Sequence, residues 1–189
     1  MLEIILIRHG NTEYNDLGLV QGQIDNPLSE VGVKNTEKAS TNFWKKNREF
    51  DKAYASPLLR AQQTAKIFLK NKMDYQIIDG LTERSFGEME GKSIKSFPFT
   101  TAFFSQKHFD IETNDLLESR VYDSLMHIIE ENYESKRIII FAHSHTIKAV
   151  CSKLDPHTYD YQMKLYNLHG VKLTYTGNKF TIDEVNIEY

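Results

Sequence analysis

Residues 2–10 of the chain read LEIILIRHG, a short apolar run that ends in an arginine, a histidine and a glycine. The run is broken only by Glu3, and its composition predicts a strand buried on both faces from residue 2 to residue 7. Residues 137–143, RIIIFAH, have the same character and also end in a histidine. We therefore expect buried strands at 2–7 and 137–142 that each present a histidine at the carboxyl end.

Strands and helices alternate in the rest of the chain. Further strands are predicted at 52–55, 75–78, 171–175 and 179–185, and helices at 29–46, 57–70, 115–133 and 146–154. A long loop is expected around Gly10, Gly18, Gly22 and Pro27, a helix cap at Ser56 with Pro57 first in the helix, and a hairpin turn at Gly177-Asn178. This alternation predicts an α/β fold, with a mainly parallel sheet between two layers of helices.

The composition of the chain excludes several classes of protein. The 189 residues are 40% hydrophobic and 26% charged, which is typical of one folded domain spanning 1–189. A net charge of −3 argues against a nucleic-acid partner, and no apolar run is long enough for a membrane span. The single cysteine, Cys151, excludes an internal disulfide and a multi-cysteine metal site. Because the amino end also lacks a basic region and a cleavage site, we expect a cytoplasmic protein. The oligomeric state stays open.

Charged and titratable residues follow four of the predicted strands. Arg8 and His9 follow the first, Arg60 comes just after the second, Glu83 after the third, and His143 after the long isoleucine run. Because ligands of such sheets bind outside the carboxyl ends of the strands, we expect these side chains to converge.

These residues lie within longer blocks that carry a resemblance. The blocks are RHGNT at 8–12 with Asn15, VQGQIDNPLS at 20–29 with Gly32, SPLLRAQQTA at 56–65, LTERSFGEMEG at 81–91, Glu112-Thr113 with Arg120, and FAH at 141–143. In this order and spacing the chain, from residue 4 to about 150, resembles the histidine phosphatase superfamily, also called phosphoglycerate mutase-like.

The resemblance implies a phosphoglycerate mutase-like fold and a set of roles. His9 is expected to be transiently phosphorylated, Arg8, Arg60 and His143 to bind the phosphate, and Glu83 to act as proton donor. Asn15, Gln21 and Gly22 are expected to contact the phosphate or the substrate. The resemblance implies no metal and no organic cofactor, and a small phosphorylated metabolite as the partner.

The chemistry of the residues agrees with these roles. A neutral imidazole can attack phosphorus, and a guanidinium offers a bidentate fork to phosphoryl oxygens that lysine lacks. The leaving oxygen needs a proton, for which Glu83 is the candidate, with Glu88 and Glu90 as rivals. A bound phosphate favours protonation of His143, which then donates to it.

The chain departs from the family pattern at two places. Ser144-His145 follows the second histidine, where the family usually has glycine or another small turn residue and then a small polar residue. The Ser144 amide can still point at the phosphate, whereas His145 either lines the site or faces away. Ile111 replaces the glycine before Glu112, which leaves the local turn there open.

The segment from about 91 to 112, which we interpret as a lid, bears on the subclass. It holds five phenylalanines, at 97, 99, 103, 104 and 109, and we interpret them as lid packing. No arginine occurs between Arg84 and Arg120, and the cations there are Lys92, Lys95 and Lys107. A mutase needs extra cations for a second phosphate, so we favour a phosphatase for a small phosphomonoester. A phosphoglycerate mutase and a non-catalytic phospho-ligand binding protein are the alternatives.

Overall fold

In a computed structural model, residues 1–46, 49–70, 72–96 and 110–189 are described, and their strands form one mixed sheet. The strands are β1 Leu2–Arg8, β2 Lys52–Ala55, β3 Gln76–Ile77, β4 Arg137–Ala142, β5 His169–Thr176 and β6 Lys179–Glu188. The helices are α1 Glu13–Leu17, α2 Glu30–Lys46, α3 Leu59–Leu69, α4 Asn114–Glu131 and α5 Ser144–Leu154.

The sheet order is β3-β2-β4-β1-β5-β6. The first four strands of this order run parallel, and β5 and β6 add an antiparallel hairpin at one edge. In the pairing of β1 with β4, Arg8 lies opposite Ala142. The residues that follow, His9 and His143, therefore leave adjacent strands at the same level.

The isoleucine-rich strands are buried on both faces because their side chains alternate between two cores. Ile4 and Leu6 of β1 pack into a core with residues of α4 and α5. Ile5 and Ile7 face the other way, into a core with residues of α2 and α3. The predicted three-layer α/β architecture is confirmed.

Helix α1 lies inside the predicted loop. Its Thr12 cap accepts from the Asn15 backbone N–H at 3.3 Å, and the Asn15 side chain accepts from the Thr12 N–H at 3.2 Å. The helix buries none of its residues, so it has no apolar periodicity, and its capping box uses asparagine instead of the usual glutamate or glutamine.

Two helix starts differ from the prediction by two residues, and the other two by one. Helix α3 begins at Leu59, so the prediction that Ser56 caps it and Pro57 opens it is wrong. Ser56 instead uses its hydroxyl for the Leu58 N–H and for His143. Helix α5 begins at Ser144, two residues earlier than predicted, which places Ser144 and His145 in its first turn.

The turn before Glu112 forms without a glycine. Asp110 adopts the left-handed conformation, with φ 56°, and Ile111 is buried against Val20, Phe86 and Met89. The predicted lid and its phenylalanines lie largely at residues 97–109, outside the described residues. No helix within the described ranges is long and apolar enough to cross a membrane.

Candidate active site

The predicted site residues meet at the carboxyl ends of β1 and β4. They surround a cavity of about 140 Å³ whose walls include Arg8, His9, Asn15, Gln21, Gly22, Arg60, Glu83 and Ser144. His143 lies against this group, with its ring centroid 5.2 Å from that of His9. The expected convergence of strand ends therefore occurs, and the cavity also has an apolar part formed by Leu19, Val20, Phe86 and Ile94.

His9 has a fixed tautomer. Its Nδ1 lies 2.7 Å from the carbonyl oxygen of Gly10, and because a carbonyl only accepts, Nδ1 carries the proton. Nε2 is then the unprotonated nitrogen. Burial, with the charges of Arg60 and Arg8 as further causes, lowers the pKa of His9 well below 6.5. The imidazole is therefore neutral, as a nucleophile must be.

Arg60 is fully buried and Arg8 is half-buried, and neither guanidinium is hydrogen-bonded to a carboxylate among the described residues. Arg8 donates to the Leu165 carbonyl at 2.7 Å, and Arg60 donates to the carbonyls of Ile24 at 2.8 Å and Gly22 at 2.7 Å. Within the described residues neither forms an ion pair, and the Nε of each is buried without a hydrogen-bond partner. Burial lowers the pKa of Arg8 to about 10 and also lowers that of Arg60.

His143 has a free ring nitrogen. Its Nε2 lies 2.7 Å from the Ser56 hydroxyl, whereas its Nδ1 is buried and has no partner among the described residues. Burial, followed by the nearby charge of Arg60, lowers the pKa of His143 well below 6.5. In this structure His143 is therefore neutral, and an anion is needed to favour its protonated form.

Glu83 lies at the amino end of α5. Its carboxylate accepts from the backbone N–H of His145 at 3.2 Å, of Thr146 at 3.2 Å and of Arg84 at 2.8 Å. Glu83 lines the cavity, whereas its rival Glu88 is exposed. The other rival, Glu90, binds the backbone N–H groups of Gln23 and Phe86. The geometry thus favours Glu83 over both.

His145 lines the cavity, which settles its orientation. Its Nδ1 lies 2.9 Å from the Nε of Arg84, and because arginine only donates, His145 carries its proton on Nε2. Its ring packs between Phe86 and Tyr161. The sequence left its orientation open because the family pattern has no histidine at this position.

Two supporting residues were not predicted. Arg84 is fully buried and, besides His145, binds Asn114 and the Glu112 carbonyl. Asn167 donates to the carbonyls of His9 at 3.0 Å and Gly10 at 3.3 Å, and to the Asn15 side chain at 3.2 Å. Arg84 stood out only by its place beside Glu83, and Asn167 lies in irregular chain without any pattern.

The site offers anion donors instead of metal ligands. Within the described ranges, no group of three or more histidine, cysteine or acidic side chains is placed to hold a metal ion. Residues 4–188 match the histidine phosphatase superfamily, branch 1. The chain belongs to this superfamily.

The chain is also similar to individual proteins and to solved structures. The chain is 31% identical over 160 residues to the metal-independent phosphoserine phosphatase of Arabidopsis thaliana, covering 78% of this chain and 66% of that protein. It is 26% identical to the 2,3-bisphosphoglycerate-dependent phosphoglycerate mutase of Parvibaculum lavamentivorans, covering 91% and 89%. A structure of a phosphoserine phosphatase mutant from Entamoeba histolytica, in complex with phosphoserine, superimposes with a TM-score of 0.83. The two chains are 24% identical, and the match covers 98% of this chain and 97% of the other. This similarity shows the fold alone.

The family and fold predictions are confirmed by these similarities. The predicted enzyme class is confirmed too, because the relatives are phosphatases of this superfamily together with some mutases. The individual roles of the site residues stay predictions.

Three buried histidines of this histidine phosphatase make its stability depend on pH. Burial lowers the pKa values of His9, His143 and His145 well below 6.5, so the unfolded chain takes up protons first as the pH falls. The contribution of these histidines to the free energy of unfolding is therefore fully present above about pH 6.5 and declines as the pH falls below it. Each histidine contributes about 1.4 kcal/mol per pH unit, and all three contribute about 4 kcal/mol per unit. Urea denaturation between pH 5 and 7.5 measures this slope.

The control for this prediction is His145→Asn, which should reduce the slope by about a third. Carboxylates such as Glu3, whose pKa is lowered from 4.5, change the free energy of unfolding only at lower pH. A free energy of unfolding that stays constant from pH 6.5 to 5 would contradict the prediction.

Proposed function

We propose that this histidine phosphatase hydrolyses small phosphomonoesters without a metal ion, through a phosphohistidine on His9. One observation carries the proposal: the guanidiniums of Arg60, which is fully buried, and Arg8, which is half-buried, lack carboxylate hydrogen-bond partners among the described residues and lie beside a neutral histidine of fixed tautomer. Burying an unpaired cation as fully as Arg60 costs roughly several kcal/mol, and a bound phosphate compensates this cost.

The first step forms the phosphohistidine. The lone pair on Nε2 of His9 attacks phosphorus while the ester P–O bond breaks, and Glu83 gives its proton to the leaving oxygen. Arg8 and Arg60 hold the equatorial oxygens, where the charge of the transition state lies. His143, protonated beside the phosphate, is a third donor.

The second step restores the enzyme. Water attacks phosphorus, its proton passes to the Glu83 carboxylate, and the N–P bond breaks to release inorganic phosphate. Throughout both steps, the Gly10 carbonyl keeps the proton of His9 on Nδ1. The ring therefore needs no rotation between attack and release.

Hydrolysis is favoured over mutase chemistry by the distribution of cations. A mutase must hold a second phosphate, yet the chain has no arginine between Arg84 and Arg120. Lys92 and Lys95 are exposed, and Lys107 lies outside the described residues. The remaining described lining of the cavity includes four apolar side chains, Leu19, Val20, Phe86 and Ile94, and no lysine.

The size of the cavity and the named relatives support a small substrate. About 140 Å³ lies within the described walls, so phosphate and a short leaving group fit better than a phosphoprotein loop. Because relatives are named as phosphoserine phosphatases, L-phosphoserine is the first compound to test.

The test is phosphate release in EDTA from a panel that contains L-phosphoserine, 3-phosphoglycerate, sugar phosphates and p-nitrophenyl phosphate. We expect turnover that EDTA leaves unchanged, with one small alkyl phosphate preferred. Conversion of 3- to 2-phosphoglycerate, primed by 2,3-bisphosphoglycerate and faster than phosphate release, would instead establish a mutase. Saturable binding without either reaction would make the protein a phospho-ligand binding protein.

A further inference from the structure

Arg120, in the second turn of α4, uses all five of its N–H donors. Its Nε and Nη2 form a bidentate pair with the Glu112 carboxylate, at 2.6 and 2.8 Å. The other three donors bind the backbone carbonyls of Gly80 at 2.9 Å, Thr82 at 2.8 Å and Glu83 at 3.1 Å. One side chain thus holds the segment that leads into and includes Glu83.

Glu112 holds the backbone on the other side of Glu83. Its carboxylate accepts from the Ser85 N–H at 3.2 Å, and its own N–H donates to the Ser85 carbonyl at 2.9 Å. The Glu112–Arg120 pair, which we name the acid clamp, therefore fixes the backbone both before and after Glu83.

The acid clamp depends on close contact between α4 and the loop. A Cβ atom at Gly80 would lie 1.8 Å from the Ser124 hydroxyl and 3.1 Å from the Arg120 carbonyl oxygen. Glycine at position 80 therefore lets the loop come near enough for its carbonyl to reach the Arg120 guanidinium.

We propose that Glu112 and Arg120 are positioning residues that hold the Glu83 carboxyl where it protonates the leaving oxygen. The inference rests on the function proposed above. Neither residue lines the cavity, so each acts through Glu83. Displacement of a catalytic group by ~1 Å can cost ~10²-fold in rate, and general acid catalysis contributes about 10²–10⁴-fold.

The proposal predicts that the loss of rate depends on the leaving group, which a simple loss of stability would not cause. An alkoxide leaving group needs the proton of Glu83, whereas p-nitrophenolate leaves without one. A misplaced Glu83 therefore slows hydrolysis of an alkyl phosphate much more than hydrolysis of p-nitrophenyl phosphate. Lysine has only three donors and no planar fork, so Arg120→Lys keeps the charge but cannot maintain the five contacts.

The experiment compares kcat and KM of Arg120→Lys and Glu112→Gln on the preferred alkyl phosphate and on p-nitrophenyl phosphate. We expect kcat to fall about 10- to 100-fold for the alkyl phosphate and less than about 3-fold for the aryl phosphate, with KM little changed. Glu83→Gln should show the same pattern, enlarged.

Arg137→Lys is the matched control. Arg137 forms a pair with Glu3 of similar exposure, 22% and 23% against 27% and 13% for the acid clamp, at the amino ends of β4 and β1. It should change neither kcat. Equal losses on both substrates, or the same pattern in the control, would overturn the proposal.

A crystal structure of Arg120→Lys separates this inference from the proposed function. We expect the Glu83 carboxylate to leave the N–H groups of His145 and Thr146. If it stays there, the positioning role is wrong whether or not the enzyme hydrolyses phosphomonoesters. If the parent shows no turnover, the proposed function fails, and the structure alone decides the role of the acid clamp.

Discussion

His9→Ala should lower kcat/KM for phosphomonoester hydrolysis by at least about 10⁴-fold, the largest effect of any substitution in this chain. The side chain supplies the attacking Nε2, and no other ring among the described residues is both neutral and held by a carbonyl at the centre of the cavity. Removing a nucleophile leaves only the contribution of the phosphate pocket. Steady-state phosphate release in EDTA measures the loss.

A direct measurement of the intermediate accompanies the kinetics. Acid-labile, base-stable phosphate should appear on the parent protein after rapid quenching and should be absent in His9→Ala. His127→Ala is the control, because His127 is exposed on α4 and pairs only with Glu131 among the described residues. Turnover that survives in His9→Ala within about tenfold would remove His9 as the nucleophile.

The centre of the sheet was predictable because its strands are buried on both faces. Such strands read as unbroken apolar runs, and the ranges predicted for β2 and β4 agree with the structure at both ends. Helix α1 was missed because nothing in it is buried. The register of β1 against β4, which brings His9 beside His143, follows from long-range pairing and has no local sequence signal.

The candidate site was predictable where it depends on strand ends, and unpredictable where it depends on irregular chain. Arg8 ends β1, His9 follows it and Glu83 comes after a short turn, so the rule for parallel sheets located them. Asn167 reaches His9 from a stretch without helix or strand, 158 residues away in sequence. The side-chain partners of Glu112 and Arg120 likewise emerge only when α4 packs against the loop before Glu83.

Arg60→Met should change the free energy of unfolding little although it removes a residue of the phosphate pocket. Arg60 is fully buried, and its described partners are two carbonyls. Replacing it with methionine removes the cost of burying a charge, which is roughly several kcal/mol. The replacement also removes two charge-assisted hydrogen bonds, each worth about 1.5–3 kcal/mol. Because these contributions oppose each other, the free energy of unfolding in phosphate-free buffer should change little.

Activity should respond quite differently to Arg60→Met. We expect kcat/KM to fall about 10³- to 10⁴-fold, because the guanidinium fork stabilises charge on the transferred phosphoryl group. The parent should gain Tm in inorganic phosphate or orthovanadate, since an anion that binds only the folded protein stabilises it, and Arg60→Met should lose most of that gain. Thermal denaturation with and without the anion, beside steady-state kinetics, measures both effects.

Two further variants identify the cause. Lys66→Met removes a cation from the exposed side of the same helix, α3, and should leave both the rate and the anion-dependent Tm unchanged. Arg60→Lys retains the charge without the fork and should lie between the parent and Arg60→Met. If Arg60→Met keeps its rate within tenfold and its phosphate-dependent Tm, then Arg60 serves only to bind the carbonyls of Gly22 and Ile24. In that case, the phosphate must bind elsewhere.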